Sequence, residues 1–242
     1  MLAMGLIIQW KNPIFSRGGT KKVKFKWIMP AVAACTLGVG QNAQAADVAV
    51  GLKASTLGIS GELVTNIIPA MLNARLQVNG FNYNTTINGT DFTSDASLKL
   101  FSAGAIADYY PFAGKFRLSA GLYYNANKFS VTGTPTAAGT FTFNGTTYTS
   151  ASVGSVTGSI DFNKIAPYMG LGWGDSVSEG SPFGVSFELG ALYQGTPKST
   201  LTTSNSIAGL AADIEAERVK LQNDLNSFKF YPVISFGLNY KF

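Results

Sequence analysis

Six charged side chains stand in rows that are otherwise small, polar or glycine-rich: Lys53, Glu62, Arg75, Arg117, Glu188 and Lys229. Both signs are interspersed. Opposite charges confined in a narrow, poorly hydrated space must pair or be hydrated, so this pattern offers an ion-pair network, or a polar pathway or gate built from the same residues. It does not offer the usual acid–base or nucleophilic chemistry, because the 242 residues include no His and a single Cys. Ser-His and Cys-His nucleophiles and ordinary transition-metal sites are thereby excluded. No catalytic, cofactor-binding or metal-binding residue is expected, no cofactor is called for, and the chain reads as a non-enzyme. Gly170-Leu171-Gly172-Trp173-Gly174 is glycine-rich enough to suggest a phosphate-cradling loop, yet no Lys-Ser/Thr and no helix follow it. Glycine on the inner face of a tight strand is the simpler account.

The elements that must position those charges have a period of two. Phe228, Phe230, Pro232, Ile234, Phe236, Leu238, Tyr240 and Phe242 alternate with Lys229, Tyr231, Val233, Ser235, Gly237, Asn239 and Lys241, which puts a greasy row on one face of a strand and a small or polar row on the other. The segments 72–79, 116–125 and 183–194 repeat this. Charged residues make up 13% of the chain, against about 25% for a soluble domain. Beyond the N-terminal region no run of about 20 apolar residues appears, so a helical membrane bundle is excluded as well. The greasy rows therefore face lipid.

Eight strands are expected, at 48–57, 59–66, 72–86, 91–110, 115–132, 156–173, 183–202 and 228–242, with the first hairpin turning near Gly58. The predicted fold class is all-β, an eight-stranded antiparallel transmembrane β-barrel. Connections at 67–71, 111–115 and 174–182 are short, those at 133–155 and 203–227 long, and that asymmetry separates periplasmic from extracellular ends. Asn88-Gly89 and Asn144-Gly145 read as type I′ hairpin turns. In 207–226 the period changes: Ile207, Leu210, Ile214, Leu221 and Leu225 define an amphipathic helix of about five turns in the last long loop. Tyr109, Phe112, Phe116, Trp173, Phe183, Tyr240 and Phe242 all fall at the short-turn end, where an interfacial girdle belongs.

The net charge of +5 is misleading, because six of the eighteen bases and none of the acids precede residue 46. The remaining twelve bases face thirteen acids, so nucleic acid is not an expected partner. Residues 1–45 read as an N-terminal extension with a cleavable signal peptide: a basic stretch at Lys21–Lys26, an apolar one at Trp27–Gly40, and Ala43-Gln44-Ala45 as the cleavage site. Residues 46–242 form the barrel. Cys35 fits the apolar core of the signal, though Val32-Ala33-Ala34-Cys35 also has a loose likeness to a lipoprotein site.

Phe236, Leu238, Tyr240 and the C-terminal Phe242 resemble the terminal assembly signal of bacterial outer-membrane barrels. Together with the export signal and eight strands, they make the chain similar to small OmpA/OmpW-type barrels. The stretches Tyr109-Tyr110-Pro111-Phe112-Ala113-Gly114, Ile165–Gly174 and Phe230-Tyr231-Pro232-Val233 are closer still to a poorly characterised proteobacterial group. The resemblance implies a monomer in the Gram-negative outer membrane. Its implied partners are outer-membrane lipid and lipopolysaccharide, the barrel-assembly machinery, and an extracellular ligand or partner at the loops 133–155 and 203–227. Fold-level likeness leaves two roles open: a non-enzymatic barrel acting structurally or through its surface loops, or a narrow passive channel for small or apolar solutes.

Overall fold

The computed structural model describes residues 48–89, 92–136, 139–174 and 182–242. The signal-peptide reading, with Ala43 and Ala45, lies outside the described residues. The strands are β1 (Val48–Ser55), β2 (Gly58–Ile68), β3 (Leu72–Asn88), β4 (Phe92–Tyr109), β5 (Phe116–Asn125), β6 (Lys128–Pro135), β7 (Thr140–Phe143), β8 (Thr146–Thr149), β9 (Val156–Asp161), β10 (Ile165–Trp173), β11 (Phe183–Tyr193), β12 (Lys198–Thr203) and β13 (Phe230–Lys241). A one-turn helix α1 (Ser150–Val153) precedes β9, and α2 (Leu210–Leu225) precedes β13.

Eight of these strands close on themselves in the order β1-β2-β3-β4-β5-β10-β11-β13, every neighbour antiparallel. Alternation fixes which side faces where. Along β13, Phe230, Ile234, Phe236, Leu238 and Tyr240 are exposed, while Val233, Ser235 and Asn239 are buried. Gly58, at φ +109°, begins β2 directly after the two-residue turn Thr56-Leu57. That is a backbone state an L side chain rarely adopts.

Three of the expected long strands break. The segment 115–132 divides at Ala126-Asn127, 156–173 at residues 162–164, and 183–202 at 194–197. The ladder is patched at the first break, where the Ala126 amide donates to the Phe101 carbonyl (2.9 Å) and the Asn127 side-chain oxygen accepts from the Phe101 amide (2.9 Å). Beyond the breaks β6, β9 and β12 extend a second sheet from the far half of β4, which pairs with β5 near the short turns and with β6 farther out.

Polarity inverts at the same level. The outward row of β4 runs Tyr109, Ala107, Ala105, Ala103, Phe101 and then Lys99, Ser97, Asp95, Thr93. On the inner face Phe92, Leu98 and Leu100 replace the polar residues found below. The outward face is thus hydrocarbon over the closed barrel and hydrophilic above it, which locates the lipid boundary near Phe101.

Above the barrel, β7 and β8 form a hairpin whose turn, Asn144 (φ 50°) and Gly145 (φ 88°), has the two positive φ angles of type I′. Phe141, Phe143, Val153, Leu210 and Ile214 bury one another, with Phe92, Tyr148, Val156 and Leu201 packed alongside. The helix spans 16 residues against the expected twenty, and Ile207 lies outside it. The Asn88-Gly89 expectation is corrected. Neither residue has positive φ, and the Gly89 amide donates to the Phe92 carbonyl (2.8 Å). Asn88 is instead the last residue of β3, paired with Thr93 of β4.

Candidate functional site: a closed lumen

Inward alternation on six strands sends six charges to one level. Lys53 from β1 pairs with Glu62 from β2 at 2.7 Å, and Arg75 from β3 pairs with Asp108 from β4 at 3.0 Å. Glu188 from β11 receives Arg75 at 2.8 Å, Arg117 from β5 at 2.7 Å and Lys53 at 3.5 Å. All six side chains are at most 3% exposed. Three cations face three anions, so the layer is neutral, as a desolvated cluster must be to persist. Ser119 donates to Asp108 (2.5 Å), and Arg117 also donates to the Gly174 carbonyl (2.5 Å).

Long side chains fit across so narrow a space because glycine lies opposite them. An added Cβ at Gly172 would come within 2.7 Å of the Arg117 guanidinium, and one at Gly237 within 2.5 Å of the Lys53 stem. Tyr168 is seated the same way, its hydroxyl over Gly170 and Gly190. The inner-face reading of the glycine run thus has a physical reason: at Gly170 and Gly172 the missing side chain is the berth of a large one, Tyr168 and Arg117, while Gly174 serves its positive φ of 113°.

An apolar lid lies one layer farther out. Leu57, at the tip of the β1–β2 turn, is 1% exposed and packs with Ile106, Tyr123, Tyr168, Leu192 and Val233. Tyr123 and Tyr168 meet edge to face at 5.5 Å. The turn is tied to β13: the Thr56 amide donates to Ile234 (3.0 Å), the Thr56 hydroxyl to Pro232 (2.8 Å), and the Tyr231 hydroxyl to the Thr56 carbonyl (2.6 Å). Lid and ionic layer are joined where the Tyr168 hydroxyl donates to Glu188. A polar ladder, Tyr123 to Gln77 (3.2 Å), Gln77 to Asn79 (2.7 Å) and Asn79 to Ser102 (3.0 Å), fills the flank.

Of the six expected charges, Lys53, Glu62, Arg75, Arg117 and Glu188 are brought together. Lys229 is not. It has the inward parity of β13 but precedes its first residue, Phe230, and stands exposed at the rim with its carbonyl accepting from the Gln194 amide (2.9 Å). The sixth member is instead Asp108, whose signal was available: it lies on the inward row of β4 between the outward Ala107 and Tyr109. Phe236, Leu238, Tyr240 and Phe242 lie on the outer wall, 58%, 62%, 40% and 77% exposed. Tyr240 stacks edge-on with Phe183 (5.1 Å) and Phe242 (5.3 Å). Among the described residues, no group of acids, Cys or His could hold a metal ion.

No protein-family model matches the chain, and neither does any curated protein. Solved structures do. The crystal structures of CarO2 and CarO from Acinetobacter baumannii both align at a TM-score of 0.54 and 24% identity, covering 83% and 84% of this chain and all of theirs. The fold is that of a bacterial outer-membrane β-barrel. A greasy outer wall around an ionic interior is the physical counterpart of that likeness, since only closure without a free edge lets strands cross hydrocarbon.

Proposed function

We propose that the protein is a non-conducting, non-enzymatic barrel of the Gram-negative outer membrane that holds a folded module on the cell surface. The observation that carries this is the sealed lumen: a neutral ion-paired layer crosses it, and Leu57 with its aromatic neighbours covers that layer. A solute moving along the axis would have to break the ion pairs and the lid together, which argues against the passive-channel reading. What lies outside is built to persist. The sheet of β4, β6, β9 and β12 carries the β7–β8 hairpin and α2 on one apolar core, so surface contacts are made by a defined shape rather than by loose loops. The C-terminal row through Phe242 is offered to the barrel-assembly machinery. Single-channel recording on the refolded protein tests the central claim. The expected record is flat, and discrete, reproducible steps that survive repurification would overturn it.

A further inference from the structure

Directly above the hydrocarbon belt, one register level of the outward face is basic. Asn82 pairs with Lys99, Lys99 with Lys128, Lys128 with Asp161, and Asp161 with Lys198, so a single row crosses β3, β4, β6, β9 and β12. Lys99, Lys128 and Lys198 are exposed. Like charges directly opposite on neighbouring strands repel, and Lys99 faces Lys128 in that position. Asp161 is the one acid in the row, and it is engaged by Lys128 at 3.4 Å. Among the described residues, neither Lys99 nor Lys198 has an acidic partner. On the membrane side of this row, beyond Ala126 and Asn163 in the strand breaks, the outward residues Phe101, Tyr124, Ile165 and Tyr193 are all exposed and apolar or aromatic. On the other side the next row is Asn84, Ser97, Ser130, Ser159 and Thr200, every one a hydrogen-bonding side chain.

Hydrocarbon contacts, then a net-positive row, then hydroxyls and amides follow one another in the order of a lipid's acyl chains, phosphates and sugars. We propose that this face of the barrel binds a phosphorylated glycolipid of the outward leaflet, with Lys99, Lys128 and Lys198 receiving its phosphates and the hydroxyl row its sugar. The inference rests on the orientation of the barrel in the outer membrane given above. Asp161 offsets the charge of Lys128 alone, so the row keeps two uncompensated cations, Lys99 and Lys198, and an anion lying across Lys99 and Lys128 relieves the remaining repulsion. Cationic side chains at a membrane surface contribute to such binding individually.

The test uses the full-length protein in mixed micelles with lipid A carrying two phosphates. Lys99→Gln with Lys198→Gln is expected to weaken retention by about thirtyfold, Asp161→Asn to strengthen it, and dephosphorylated lipid A to bind no better to wild type than to the double variant. The charge-matched pair Lys115→Gln with Lys220→Gln, on the short-turn end and on α2, should retain the lipid as wild type does. Equal retention by wild type and the Lys99/Lys198 variant overturns the proposal, as does an equal fall in the control pair. Complete displacement by inorganic phosphate would make this a free-anion site and also overturn it. Heat-modifiable migration and vesicle insertion are recorded on the same samples: wild type failing there sinks the barrel reading and this one with it, whereas normal insertion with unchanged retention sinks this one alone.

Discussion

Arg75 reaches three acids from three different strands: Asp108, Glu188 and, at 3.5 Å, Glu62. Removing a buried pair partner strands the opposite charge, which costs more than the pair is worth. Arg75→Leu should therefore destabilise the barrel by about 3–5 kcal/mol, read as a lowered urea midpoint of the heat-modifiable band. Lys229→Gln, at the exposed rim, should shift that midpoint by less than about 0.5 kcal/mol. A similar loss in both would contradict the placement of Lys229. These two residues also show what was legible at this scale. Alternation tells which row a residue belongs to, and it placed Arg75 and Glu188 correctly. It does not tell where the row stops being a barrel wall, which is why Lys229, one residue before β13, was misplaced. Asp108 was missed for a different reason, since its neighbours Ala105 and Ala107 are small and the greasy row they form is faint.

At the scale of elements, α2 is held by a few contacts that can be separated from the barrel. Ile214 is buried among Phe141, Phe143 and Leu210, and Ile214→Ala should cost about 2–4 kcal/mol locally. Hydrogen exchange would show faster amides in α2 and the β7–β8 hairpin, with those of β1, β2 and β13 unchanged. The second clamp is Asp213, which accepts from the Tyr148 hydroxyl (2.7 Å) and the Asn144 amide (3.2 Å). Those hydrogen bonds favour the carboxylate and hold its pKa below the ordinary range. A depressed carboxylate contributes its stability above the unfolded pKa of about 4 and loses it as pH falls through the lower folded value. Protection of α2 should accordingly be flat from neutral pH to about 4 and decline below that; a decline between pH 7 and 5 would assign the clamp to other groups. The helix itself was legible from its 3.6-residue period. The breaks in the long strands were less so, because across Ala126-Asn127 and across residues 162–164 alternation resumes in the same phase. Only the exchange of greasy and polar rows marks them, as where Leu122 and Tyr124 give way to Lys128 and Ser130 on the outward face.

For the whole molecule, that exchange of rows defines two zones: a barrel turned inside out for lipid, and a sheet above it arranged as in water. Closure was legible because the terminal strand alternates without a fault from Phe230 to Phe242 and needs a partner on both edges, which β11 and β1 supply. The outer sheet was not, since nothing in a single strand says whether its far half stays in the ring. The zones make a prediction that single cysteines can read, because Cys35 is the chain's only native cysteine. Ser130→Cys and Thr200→Cys lie on the outward face above Lys128 and Lys198, so on intact cells both should react fully with a membrane-impermeant maleimide. Leu122→Cys and Leu189→Cys occupy outward positions on the greasy wall and should stay unlabelled until detergent is added. Phe112→Cys, in the short turn between β4 and β5, should react only once the outer membrane is permeabilised. If Phe112→Cys labelled on intact cells while Ser130→Cys did not, the barrel would be upside down, and the lysine row would face the periplasmic leaflet. If Leu122→Cys and Ser130→Cys labelled alike, the wall would be wet, and the greasy rows would have to be covered by protein instead of lipid.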